Sequence, residues 1–200
     1  MTRQTKALVF ALCLVPFAHL LYRAATGGLG VNPIEEIALA TGRWTLRFLL
    51  ITLAVTPVRR LLKWNEAIRY RRMLGLFAFF YACLHLTTYI VLDQFFDWQT
   101  IVEDVTKRPF IMAGACAFLL LVPLAITSTR GWIRRLGRDW ARLHMLIYAA
   151  AILGVVHFTW KVKSDLSGPL RYAVILGVLL AVRLVWASRR ASGTRGTRGT

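Results

Sequence analysis

The side chains in this sequence best suited to chemistry are four histidines, His19, His85, His144 and His157. His85 and His157 lie deep inside apolar runs, where an ionisable side chain is costly and by default marks a functional site. Neutral imidazole is a preferred axial ligand for haem iron. Two imidazoles at one level on neighbouring helices can clamp a single b-type haem from both sides. Their depths can be compared from sequence. His85 stands 12 residues beyond Met73 and His157 stands 14 residues beyond Leu143. At about 1.5 Å per residue these are depths of roughly 18 and 21 Å, measured from the same side. A lone buried histidine more often makes a hydrogen bond between helices; a depth-matched pair favours ligation.

His144 precedes His157 by 13 residues. On one continuous helix the two point about 140° apart, so they face different places unless the helix is distorted. His144 then serves a second site nearer the cytoplasm, acts as an alternative ligand, or is an interfacial histidine. His19 has no partner at its depth and reads as structural. Ala150 and Gly154 share a helical face with His157 and would leave room for a porphyrin. Tyr81, Thr88 and Tyr89 share a face with His85 and would pack or hydrogen-bond near the ring edge.

These residues need helices that cross a membrane to position them. The chain has 200 residues, 57% of them hydrophobic, gathered in blocks of about 15–20 residues, the pattern of a polytopic membrane protein. The spacing predicts six spans, at residues 7–22, 44–58, 73–92, 110–127, 143–160 and 169–187. The expected fold is an all-α membrane helix bundle: one domain over residues 1–190, then a disordered Gly, Thr and Arg tail at 191–200. Pro57 should help to end the second span and Pro169 should begin the sixth. No repeat of domain size stands out. The first run follows Arg3 and Lys6 but has no small-x-small cleavage site, so it reads as a retained helix.

Arginine and lysine cluster before the first span, after the second (Arg59, Arg60, Lys63, Arg69, Arg71, Arg72), after the fourth (Arg130, Arg134, Arg135, Arg138, Arg142) and in the tail. By the positive-inside rule both termini are cytoplasmic, and the loop with Asp93, Asp97, Glu103 and Asp104 is outside. In a bacterium this is the inner membrane. The net charge of +17 belongs to this topology; no nucleic-acid-binding signature accompanies it. Cys13, Cys83 and Cys116 sit in apolar runs without CxxC or CxxCH, which argues against a disulfide framework and against covalent c-type haem.

Other residues have two readings each. Arg47, near the level of the histidine pair, pairs with a haem propionate or snorkels. Arg183 reads as snorkelling. The basic loops around Arg69, Arg71, Arg72, Arg134, Arg135 and Arg138 bind an FMN phosphate or an acidic donor protein, or only lipid headgroups. The acidic outer loop docks a partner or is simply solvated. Gly27, Gly28 and Gly30 form a turn, since no strand–helix unit surrounds them.

A series of short motifs runs in order from residue 26 to 163. They are Gly-Gly-Leu-Gly at 27–30, Thr-Gly-Arg-Trp at 41–44, Thr-Leu-Ala-Val-Thr-Pro-Val-Arg-Arg at 52–60, Arg-Arg-Met-Leu-Gly-Leu at 71–76 and Leu-His-Leu-Thr at 84–87. Lys-Arg-Pro-Phe follows at 107–110, Pro-Leu-Ala-Ile-Thr-Ser at 123–128, Arg-Leu-Gly-Arg-Asp-Trp at 135–140, Leu-His at 143–144 and His-Phe-Thr-Trp-Lys-Val-Lys at 157–163. Together they resemble the haem-binding membrane subunits of the bacterial protein-methionine-sulfoxide reductase system, the MsrQ (formerly YedZ) family, and through them the ferric-reductase-like transmembrane group. The resemblance implies that His85, His144 and His157 are the haem-ligand candidates, with one or two haem b groups and FMN as a further cofactor. It also implies a periplasmic molybdopterin-containing catalytic partner, MsrP-like, which reduces methionine sulfoxide in oxidised envelope proteins. The quinone pool or a cytoplasmic flavin reductase would supply the electrons.

No Rossmann-type GxGxxG follows a strand pattern, and no sulfoxide-reducing centre is visible. The expected role is therefore that of an electron-transfer subunit whose donor and catalytic centre lie on other chains. The alternatives are a ferric-reductase-like cytochrome b serving another acceptor, a haem-free membrane anchor, and a transporter; a transporter would want inverted repeats.

Overall fold

In the computed structural model, which describes residues 3–162 and 164–196, with side chains described to Arg189, the chain is helical throughout and contains no strand among the described residues. Six helical stretches are long and apolar enough to cross a membrane: Arg3–Ala25, Pro33–Leu61, Arg71–Asp93, Pro109–Ile126, Arg138–Lys161 and Ser167–Arg189. The expected all-α multi-pass bundle is what the chain forms.

The first helix, α1 (Arg3–Ala25), ends at Gly27, whose φ of 69° suits the left-handed cap that glycine adopts freely. This is the expected turn. The second helix, α2 (Pro33–Leu61), begins eleven residues before the apolar block at 44–58. Asn32 caps it by accepting from Glu35 N, Pro33 occupies its first turn, and Glu35 and Glu36 lie against the positive end of the helix dipole. Pro57 does not end α2, contrary to expectation. A proline costs a hydrogen bond to the residue four before it, and only one turn from the C-terminus the helix bears that and runs on to Leu61. α3 (Arg71–Thr87) continues as a π-helical turn over Thr88–Asp93.

The acidic loop after α3 contains an unexpected helix, α4 (Trp98–Lys107). Its N-cap is Asp97, which accepts from Gln99 N and Thr100 N at 3.1 Å. The Thr100 hydroxyl and these amides hold the Asp97 carboxyl below the usual carboxylate range. Asp104 is buried, taking a hydrogen bond from the Tyr89 hydroxyl at 2.9 Å and an ion pair from Arg108 at 3.0 Å. The loop's acids thus serve its own fold. α5 (Pro109–Ile126) returns through the membrane.

α6 (Arg130–Leu136) and α7 (Arg138–Leu143) are short and rich in arginine. A turn at His144 and Met145 then precedes α8 (Leu146–Lys161). His144 and His157 are consequently not on one continuous helix, and the angle expected from regular spacing does not apply. α9 (Ser167–Gly196) starts with Pro169 in its first turn, as expected. Its backbone continues six residues into the segment read as a disordered tail; the last four residues, 197–200, lie outside the described residues.

The packing is dominated by two hairpins, α2 with α3 and α5 with α8, joined face to face through α3–α5 and α2–α8 contacts. α9 lies against α2 and α8, and α1 lies more loosely against α2 and α3. Leu49, Leu53, Ala78, Tyr81, Ala150 and Ala151 form the fully buried centre. The Tyr81 hydroxyl does not reach the histidines. It enters α1 beside Pro16, donating to Cys13 O at 2.9 Å and accepting from Phe17 N at 3.1 Å. Those two backbone groups would otherwise bond each other. Tyr81→Phe leaves both without a partner where no water replaces it, so it should cost about 1–3 kcal/mol. Unfolding titrations in mixed micelles, wild type against variant, measure this; unchanged stability would mean that α1 re-forms the bond itself.

A paired-histidine candidate cofactor site

His85 and His157 meet between α3 and α8, towards the end of the bundle where α2 and α5 begin. Their ring centroids are 5.9 Å apart and their planes are inclined at 76°. His85 sits one turn beyond Tyr81 on α3, and its Nδ1 is 2.9 Å from Ala38 O on α2. His157, on α8, has Nδ1 at 2.6 Å from Phe110 O on α5. A carbonyl only accepts, so each Nδ1 carries the proton and donates. Each Nε2 is left with its lone pair and no hydrogen-bond partner among the described residues. That is the tautomer a metal-binding histidine takes when a backbone carbonyl fixes it from behind. Thr41 Oγ1 lies at 3.5 Å from His85 Nδ1, but donates to Ile37 O at 2.7 Å.

Two glycines make room for the rings. A Cβ on Gly42 would stand 3.2 Å from His85 Cε1 and 3.3 Å from Nδ1. On Gly114 it would stand 2.7 Å from His157 Nδ1 and 3.0 Å from Cε1. Both hairpins therefore use one arrangement: a carbonyl on the descending helix, a glycine one turn on, and a histidine 47 residues after the carbonyl on the ascending helix. The second set (Phe110, Gly114, His157) follows the first (Ala38, Gly42, His85) at a constant offset of 72 residues. Ala78 and Ala150, separated by the same offset, are both 0% exposed. No repeat of domain size is present in the sequence pattern; the recurrence is a hairpin motif inside the one bundle, carried by small residues and histidine alone.

Among the described residues no group of three or more His, Cys, Asp or Glu is placed to hold a metal ion. Two imidazoles suit an iron whose remaining positions a macrocycle fills. With metal–nitrogen bonds of about 2.0–2.1 Å, an iron between two imidazoles sets the ring centroids roughly 6.4 Å apart, close to the 5.9 Å found here. The residues fit such a group.

The other expected residues lie elsewhere. His144 is at the opposite end of α8, stacked on Trp140 with centroids 3.9 Å apart. Its Nδ1 is 3.1 Å from Trp140 O, and its Nε2 is buried without a hydrogen-bond partner. His19 is exposed on α1. Arg47 turns to α9, with Nε donating to Tyr172 Oη at 3.2 Å and the guanidinium 4.5 Å above the Trp44 ring. Thr88 bonds back to Leu84 O, and Tyr89 reaches Asp104, so neither lies along the ring edges. Gly154 does not open space beside His157, since a Cβ there would meet Leu46 Cδ2 at 3.0 Å. Arg183 does not snorkel. Its Nη1 donates to Tyr148 Oη at 2.5 Å and its Nη2 to Leu53 O at 2.6 Å, with Nε buried and unpartnered. Arg71 is within electrostatic range of both Arg183 and His144. Sequence reasoning missed Gly114 and this basic cluster; the equal spacing of Gly42–His85 and Gly114–His157 was the available signal for the first.

Comparison with known proteins agrees with this architecture. Residues 41–155 match the family described as ferric reductase like transmembrane component. A protein of Rhodospirillum rubrum described as protein-methionine-sulfoxide reductase heme-binding subunit MsrQ is 56% identical over 188 residues, covering 94% of this chain and 90% of its own length. Proteins of the same description from Herminiimonas arsenicoxydans and Xanthomonas axonopodis pv. citri are each 51% identical, covering 98% of this chain and 91% and 92% of their own lengths. No solved structure matches. With its six membrane-spanning helices, the chain belongs to the ferric reductase like transmembrane component family and, within it, to the MsrQ proteins.

Proposed function

We propose that the chain is the haem-carrying membrane subunit of a methionine-sulfoxide reductase system, conducting electrons across the bacterial inner membrane to a periplasmic molybdopterin partner of the MsrP kind. The observation that carries this reading is the histidine pair, with both Nδ1 atoms committed to carbonyls and both Nε2 atoms free. The names of relatives more than half identical support it. Bound there, a b-type haem would supply reversible one-electron chemistry. The chain's own part is to hold the rings. Ala38 and Phe110 fix their tautomer and tilt, Gly42 and Gly114 let the helices close on them, and the apolar bundle excludes water. Orientation follows the arginine distribution: α6 and α7 face the cytoplasm with both termini, and α4 faces the periplasm. The histidine pair then lies nearer the periplasmic side, within reach of an acceptor there.

Electrons enter from the cytoplasmic half, from quinol or from a cytoplasmic flavin reductase. The group best fitted to that half is FMN. His144, Tyr148, Arg71 and Arg183 form a basic cluster without a carboxylate, and uncompensated charge at membrane depth marks a site. His144 serves this second site, not the histidine pair. Arg183→Gln should lower flavin content roughly tenfold or more, as charge-assisted bonds to phosphate are worth about 1.5–3 kcal/mol, and should leave haem content intact. Flavin released by acid and counted by fluorescence tests this; unchanged flavin would dismiss the cluster. The main reading is tested by reconstituting purified chain with its partner and a reductant. Sulfoxide reduction should require the haem-loaded chain, and reduction that persists with a haem-free chain would leave only a membrane anchor.

A further inference from the structure

At the end of the bundle opposite the arginine-rich α6 and α7, three cations are held in ion pairs. Arg23 pairs with Glu36, Lys107 with Glu103, and Arg108 with Asp104. Three arginines there differ. Arg43, Arg47 and Arg171 have no ion-pair partner among the described residues, and all three line one laterally open cavity of about 690 Å³ between α2, α8 and α9. The nearby acids are engaged. Glu36 acts on Arg43 only from a distance, since its oxygens take Arg23 and Gly30 N. Asp165 also lines the cavity; it accepts from Ser167 N at 2.9 Å and acts on Arg171 only from a distance. The Nε groups of Arg47 and Arg171 are used by Tyr172 Oη and Ser167 O, each at 3.2 Å, which aims the guanidiniums and leaves their ends unbonded. Trp44 and Tyr172, aromatic residues of the membrane–water boundary, flank the charges, and Phe158 and Ile175 form an apolar wall.

Unpaired guanidiniums at the interfacial level, above an apolar wall open to the side, match one chemistry: a phosphate with hydrocarbon attached. Arginine suits phosphate through its fork of donors. The cavity is of ligand size, and basic pockets between membrane helices take anionic headgroups. We propose that this cavity binds one anionic phospholipid of the surrounding leaflet, its phosphate between Arg43, Arg47 and Arg171 and its acyl chains along Phe158 and Ile175. The lipid ties α9 to α2, the helix whose Ala38 and Gly42 position His85. The proposal does not depend on what the histidines hold.

The test uses the full chain, delipidated in detergent and exposed to vesicles of phosphatidylglycerol or of phosphatidylcholine, with retained lipid counted by native mass spectrometry. One phosphatidylglycerol should be retained per chain, with a preference over phosphatidylcholine of roughly tenfold or more. The double variant Arg43→Gln, Arg171→Gln should lose that preference while keeping its haem. Ile175→Trp, which fills the apolar wall and keeps every arginine, should lower retention of the lipid itself. Inorganic phosphate, added as the free anion, should not displace the lipid. Equal retention of the two lipids by wild type, undiminished preference in the double variant, or displacement by inorganic phosphate would each overturn the proposal. Loss of haem with the lipid preference unchanged would give the arginines to haem propionates instead.

Discussion

Replacing His157 by alanine is expected to abolish stable haem binding, and His85→Ala should do the same. In the proposed function each ring would hold the haem iron, and each ring is itself held by a single carbonyl from the neighbouring helix, Phe110 O at 2.6 Å and Ala38 O at 2.9 Å. Losing an outer-shell partner alone typically costs 10–100-fold in metal affinity; losing the ligand itself should exceed that. His144→Ala should spare the haem, because His144 lies at the far end of α8, with His157 eleven residues beyond Leu146, a rise of roughly 17 Å. Pyridine haemochrome counts per polypeptide measure all three. Full haem in either of the first two variants, or its loss in the third alone, would reassign the ligands.

Gly114→Ala is the second change with a large expected effect, although it adds one methyl group and touches no ligand atom in wild type. The added carbon would lie 2.7 Å from His157 Nδ1, too close for any real contact. The ring must leave the Phe110 carbonyl or α5 must separate from α8. Either exposes a buried carbonyl, at about 1–3 kcal/mol, and removes the partner that fixes the tautomer. Haem retention should fall by roughly 10–100-fold, as for outer-shell losses elsewhere. Gly42→Ala is the built-in comparison. Its carbon would meet His85 at 3.2–3.3 Å, which a shift of a few tenths of an ångström relieves, so the loss should be smaller. Titrating haem into the two apoproteins orders them; equal affinities would mean that the rings are not held as tightly as the geometry requires.

The depth match between His85 and His157 was legible because helix rise is regular along an unbroken apolar run. For His144 the same logic gave the right end of the span but not the direction of the ring, since the turn at His144 and Met145 interrupts the count. The helix at Trp98–Lys107 escaped because it is amphipathic and short, and its signal is the Asp97 cap, not an apolar block. The orientations of Tyr81 and Tyr89 were out of reach. Both share a helical face with His85, but their hydroxyls follow partners on α1 and α4 that no local pattern connects to them. The duplicated hairpin was hidden for a different reason. Only a carbonyl, a glycine, a buried alanine and a histidine must recur, and a carbonyl has no residue identity. Arg183 read as snorkelling because sequence gives its depth but not Tyr148, one helix away.

Electron paramagnetic resonance of the purified ferric protein tests the shared-iron claim most directly. Two imidazoles on one iron give a low-spin signal, and with ring planes 76° apart that signal should be strongly anisotropic and disappear in His85→Ala and in His157→Ala. A high-spin signal in wild type, or a low-spin signal that persists in either variant, would show that these two rings do not share an iron.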